Sequence, residues 1–117
     1  MFDSEELNKI SMEIILNAGD ARAIISEALL SVEKGDFDEI DEKMAEAKKK
    51  ISLAHSSQTN IIQREAMGKS IYYSLLFSHA QDTLMTVMSE WNTAKHTIKL
   101  FKQYDARLKK LEGSEGK

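Results

Sequence analysis

The chain contains no cysteine and no proline. Without cysteine there can be no disulfide, no zinc–thiolate site and no thiol nucleophile, and a reducing cytoplasm is the natural setting. Without proline, and with only five glycines in 117 residues, there are few places for a helix to break. An excess of positive charge is missing as well. Sixteen basic residues face nineteen acidic ones for a net charge of −3, which argues against nucleic acid or an anionic membrane as a partner. No apolar run approaches the ~18 residues of a membrane span. The opening Met1-Phe-Asp-Ser-Glu-Glu6 lacks the basic-then-apolar order of a signal peptide, so none is expected. Work at a membrane would have to pass through a partner.

What is present is a helix-forming composition, 42% hydrophobic and 30% charged, sized for one domain. We expect that domain over residues 1–112, with a flexible tail at 113–117. Gly35 and Gly68 divide it into three helices, at about 4–34, 36–67 and 70–111. In the first, Leu7, Ile10, Ile14, Ala18, Ala21, Ile25, Ala28 and Val32 recur at spacings of mostly three and four. In the second, Asp36 and Glu39 are placed as a capping box. Its seam is Phe37, Ile40, Met44, Ala47, Ile51, Ala54, Gln58 and Ile61. The third puts Ile71, Leu75, Ser78, Asp82 and Met85 in one register, slips through Met88 and Trp91, and resumes at Ala94, Ile98, Phe101, Asp105 and Leu108. Short connections predict an all-α, antiparallel up-down-up bundle. Tyr72, Leu76, Leu84, Val87 and Trp91 fall outside the main register. They suggest association with further copies, against the alternative of a monomer with a broad core.

Two residues stand out chemically. Asp82 falls on the expected buried seam, where a carboxylate must be paired, protonated or bound to a cation. Three copies about an axis would converge three carboxylates, and a hard divalent ion such as Mg²⁺ would relieve their repulsion; a Lys or Arg pair is the plain alternative. His79 is three residues earlier, a neighbour along the helix. A lone helical histidine is more often a surface or packing residue. A neutral imidazole can also hold a phosphoryl group covalently. His55, beside Gln58 and Thr59, reads as structural, and His96 as solvated. No Gly-rich phosphate loop and no close histidine ligand pair is present.

The stretch Ser78-His-Ala-Gln-Asp-Thr-Leu-Met-Thr86 resembles the signature of the lactose/cellobiose family of phosphotransferase-system IIA proteins. Ile15-Leu-Asn-Ala-Gly-Asp-Ala-Arg22, Lys34-Gly-Asp-Phe37, Ala54-His-Ser-Ser-Gln-Thr59, Ile61-Ile62 and Glu65-Ala66 resemble further family segments, in order. The resemblance implies a homotrimer of three-helix subunits, nine helices in all, with the active histidine in a groove between subunits. Carried onto this chain, His79 takes a phosphoryl group on Nε2 from the phosphohistidine of HPr and passes it to a cysteine of IIB. IIB then phosphorylates a β-disaccharide of cellobiose, chitobiose or lactose type, brought in by the membrane component IIC. The resemblance also makes Asp82 one of three ligands to a single Mg²⁺ per trimer.

One position departs. The family pattern commonly has a second histidine where this chain has Thr83, four residues after His79. A hydroxyl can bond a phosphoryl oxygen but cannot become cationic. Two other readings are a histidine phosphotransfer module of a two-component pathway and a purely structural bundle.

Overall fold

The computed structural model describes residues 4–68 and 73–115. Those residues form α1 (Ser4–Glu33), α2 (Ile40–Ala66) and α3 (Leu75–Glu115), and no strand occurs among them. None of these helices is long and apolar enough to cross a membrane.

The first two helices bury the stripes their spacing predicts. Leu7, Ile14, Ala18, Ala21, Ile25 and Ala28 are buried on α1, with Ile10 and Val32 half-buried at its flanks. Ser11 joins that stripe, its hydroxyl donating to the Leu7 carbonyl at 2.7 Å, so a polar side chain is accommodated without an unmet donor. On α2, Ile40, Met44, Ala47, Ile51, Ala54, Gln58 and Ile61 are buried and Phe37 is half-buried just before it. The many alanines on these stripes let the helix axes approach closely.

The turn after α1 has a specific backbone cause. Gly35 adopts φ 75°. The Gly35 amide bonds the Val32 carbonyl and the Asp36 amide bonds the Ser31 carbonyl, both at 2.9 Å, which is the Schellman closure. The expected Asp36/Glu39 capping box does not form. Asp36 Oδ1 accepts from the Asp38 amide at 3.1 Å, an Asx turn that consumes residues 36–39. Helix α2 therefore begins at Ile40, with Glu39 at its N-cap and no side-chain cap bond.

Ion pairs give the direction of packing. Glu6–Arg64, Asp20–Lys50 and Glu27–Lys43 form an antiparallel ladder between α1 and α2. Arg22 reaches Glu90 of α3 at 2.8 Å, and Lys102 reaches Asp41 of α2 at 2.8 Å. Such exposed pairs contribute at most about 1 kcal/mol each, and the buried stripes carry the stability. The molecule is a rod of 72 × 21 × 19 Å, because α3 outruns its neighbours. Where we expected a helix over 70–111 and a tail from 113, α3 starts at Leu75 and continues to Glu115. Ser70, Ile71 and Tyr72 lie outside the described residues.

Candidate functional site on the third helix

The N-terminus of α3 is fixed by a cap that hydrophobic spacing does not reveal. Ser74 Oγ accepts the Phe77 amide at 3.0 Å, and the Ser74 carbonyl accepts the Ser78 amide at 3.1 Å. The motif Ser74-Leu-Leu-Phe77 carries that signal, a serine immediately before an apolar run. His79 comes in the second turn, mounted on a regular helix rather than on a loop.

The register of the first half of α3 differs from the one read from sequence, whereas beyond the slip Ala94 and Ile98 are buried as expected and Phe101 and Leu108, further on, are exposed. The buried stripe of α3 is Phe77, Ala80, Leu84, Val87, Ala94 and Ile98, with Trp91 and Met88 packed against it. Trp91 Nε1 donates to the Met44 carbonyl at 2.9 Å, tying α3 to α2. The expected seam of Leu75, Ser78, Asp82 and Met85 is exposed instead. The reason is that α3 carries two stripes at helical spacing, and periodicity alone does not say which of them the chain's own helices cover.

Asp82 thus sits on the outward face, roughly opposite Leu84 and Val87. Its carboxylate makes no hydrogen bond or ion pair among the described residues. His79 is exposed, and its ring likewise has no partner there. At about 100° per residue, His79 lies about 60° to one side of Asp82. That side is the α1 side, since Glu90, nearly in line with His79 along the helix, pairs with Arg22. On the same flank a groove of about 340 Å³ runs between α1 and α3, floored by Ile25, Leu29 and Ala94. Ser78 and Gln81 lie on the other side of Asp82, in a cleft of about 210 Å³ shared with Ile61, Ile62 and Glu65 of α2.

Thr83, four residues after His79, donates its hydroxyl to the His79 carbonyl at 2.8 Å. Its one proton is therefore committed to the backbone. His55 is exposed on α2, with Nδ1 3.5 Å from Thr59 Oγ1, and takes no place in the core. His96 is exposed. Of the apolar residues near His79, Leu84 is fully buried and Leu76 half-buried, whereas Leu75 and Met85 are mostly exposed and open to contacts beyond the chain.

Among the described residues no cluster of three or more His, Cys, Asp or Glu side chains occurs within the chain. A lone free carboxylate supplies at most two of the roughly six oxygens that Mg²⁺ takes. Asp82 fits a hard cation in donor type, and by itself would leave most of the coordination sphere to oxygens from elsewhere.

A family model described as the lactose/cellobiose-specific IIA subunit of the phosphotransferase system matches residues 9–102. The chain belongs to this family. The lactose-specific EIIA component of Lactococcus lactis subsp. lactis is 42% identical over 99 residues, covering 85% of this chain and 94% of that protein. Among solved structures, the cellobiose-specific enzyme IIA of Bacillus anthracis is 40% identical with a TM-score of 0.81, over 91% of this chain and 95% of that one. The IIA(Chitobiose) of Escherichia coli, solved in complex with HPr, is 31% identical with a TM-score of 0.75, over 87% and 99%. The IIA family match takes in His79, Asp82 and both grooves, and stops before the end of α3.

Proposed function

We propose that the chain is a cytoplasmic phosphocarrier for uptake of a β-disaccharide of the lactose, cellobiose or chitobiose class, with His79 as its phosphorylated residue. The observation that carries this reading is the state of His79: an exposed imidazole, free of side-chain partners, on a capped helix. Nε2 of the neutral ring attacks the phosphorus of phosphohistidine on HPr. The Nε2–P bond forms as the donor's N–P bond breaks, and the donor imidazole leaves neutral. The HPr complex of the Escherichia coli chitobiose relative supports HPr as donor. In the second step a thiolate of IIB takes the group, an S–P bond replacing Nε2–P. IIB and the membrane component IIC then carry it to the sugar. Because the transition state is loose, positioning and charge stabilisation do most of the work. The positive end of α3 adds a few tenths of a kcal/mol for the phosphoryl charge, since its first turn holds no acidic residue and His79 is one turn in.

The active form in this reading is a homotrimer, with the outward faces of three α3 helices around an axis. Leu75 and Met85, 74% and 56% exposed, would be covered there, and three Asp82 carboxylates would meet. A Mg²⁺ ion bound by them would offset their mutual repulsion, a structural and not a catalytic contribution.

Incubation with HPr, its phosphoenolpyruvate-dependent kinase and phosphoenolpyruvate should place acid-labile phosphate on the wild-type chain and none on His79→Ala. Full labelling of His79→Ala would end the assignment. A receiver-domain aspartate as acceptor, with no transfer to IIB, would move the chain to two-component signalling.

A further inference from the structure

Trp91, where the apolar register of α3 slips, is the only tryptophan in the chain. It stands about 18 Å further along α3 than His79 and about 120° around the helix, so it has no part in that site. Its Nε1 donates to the Met44 carbonyl at 2.9 Å, which fixes the edge of the indole against α2. The ring lines a groove of about 370 Å³ between α2 and α3, together with Met44, Ala45 and Ile98. Lys48 of α2 brings its Nζ to 4.2 Å from the ring centroid, and Lys95 of α3 to 5.6 Å. Both distances suit cation–π attraction.

What these two lysines lack is counter-charge. Lys43, Lys50, Lys102 and Lys109 each meet a carboxylate at 2.8–3.5 Å. Lys48 and Lys95 meet none among the described residues. No acidic residue lies three or four positions from either of them, and Lys99 adds a further positive charge one turn beyond Lys95. Asp41, the one carboxylate lining the groove, is held by Lys102 at 2.8 Å. Two like charges sharing one indole repel each other, and an anion would relieve that. Apolar walls, an aromatic ring and a few charged groups are the make-up of a small-molecule pocket, and the volume is of that order. A phosphate ester matches the charge, carrying about −1.5 to −2 at pH 7 with three acceptor oxygens. A single carboxylate would balance only one of the lysines.

We propose that this groove binds a small organic phosphate ester, with the ammonium groups of Lys48 and Lys95 donating to its phosphate and the indole of Trp91 supporting its carbon body. The site goes beyond the phosphocarrier reading and needs neither His79 nor a second copy of the chain. Because one lysine comes from α2 and the other from α3, the bound phosphate would also join the two helices at the level of Met44.

With a single tryptophan in the chain, indole fluorescence reports on this groove directly. Titration of the full-length protein with glucose 6-phosphate at low ionic strength should give a saturable change in emission. Glucose alone and inorganic phosphate, each supplying part of the contacts, should bind at least about tenfold more weakly. Lys48→Gln and Lys95→Gln should each raise the dissociation constant about tenfold, the effect of one charge-assisted hydrogen bond. Lys49→Gln, at an exposed position of α2 outside the groove, should leave it unchanged. His79→Ala should bind as the wild type does; loss of binding there would put the ester at the phosphoryl site and overturn the proposal. No saturable change, equal affinity for inorganic phosphate, or equal weakening by Lys49→Gln overturns it too. A saturable response to a polyglutamate peptide, with none to glucose 6-phosphate, would overturn it in favour of an acidic protein surface.

Discussion

The two faces of α3 are made of similar material and do different things. On one face, Phe77, Ala80, Leu84, Val87, Ala94 and Ile98 are closed over by α1 and α2. On the other, Leu75, His79, Asp82 and Met85 are left open. Both repeat at three- and four-residue spacing, so both read as seams. What separates them is chemistry: the closed face is uniformly apolar, and the open one interleaves hydrophobes with an imidazole and a carboxylate that have no partners among the described residues. A helix that packs on one side and presents reactive groups on the other lets stability and function be altered independently.

That independence can be broken experimentally. The largest stability effect is expected for Leu84→Ala on the closed face, where a cavity costs about 2–5 kcal/mol; thermal unfolding monitored by circular dichroism should show a drop of about 10 °C or more. His79→Ala on the open face should leave the midpoint within about 2 °C while removing all phosphate uptake. If the two substitutions destabilise equally, the faces are not distinct. Asp82→Asn sharpens the open face further. Under the trimer proposed above, Asp82→Asn removes three like charges and should make the assembly indifferent to chelator, whereas the wild-type assembly should dissociate more readily in chelator, as read by sedimentation. Identical chelator responses would remove the ion from the picture. The smallest effect belongs to Thr83→Ala. Its loss of one helix-backbone bond should change stability by less than about 0.5 kcal/mol and leave the phosphoryl equilibrium nearly unmoved. A large loss of phosphohistidine there would show that the hydroxyl swings away from the His79 carbonyl to serve the phosphoryl group.

The same contrast explains what is legible in the sequence. The seams of α1 and α2 can be read almost residue by residue, Gln58 included, because each helix has a single apolar stripe. In the first half of α3 the spacing points to the stripe containing Asp82 as the buried one, and to Leu84, Val87 and Trp91 as the extra face; the structure reverses them, while Ala94 and Ile98, where the register resumes, are buried as read. Periodicity gives the angle between stripes and not the identity of the surface that covers each. Asp36 shows a second limit, since its side chain can cap a helix or close an Asx turn, and the choice depends on how the Gly35 closure aims the chain. His79 and Asp82 are singled out by family resemblance and helical spacing, whereas the cleft that Ser78 and Gln81 share with α2 shows only in the structure.

The overhang of α3 has a consequence of its own. Beside the α1–α2 turn, Lys102, Asp105 and Lys109 share a cleft with residues 35–38, while Tyr104, Leu108 and Leu111 are more than half exposed, so this stretch is braced on one side only. A helix end braced on one side only leans on intrinsic propensity, which is marginal in water for a short run. Deuterium should therefore enter its amides in a gradient, fastest at the far end and slowing toward Ile98, while the turn carrying His79 stays protected by its cap and by Phe77 beneath it. The molecule would loosen first at the extremity of α3 most distant from His79.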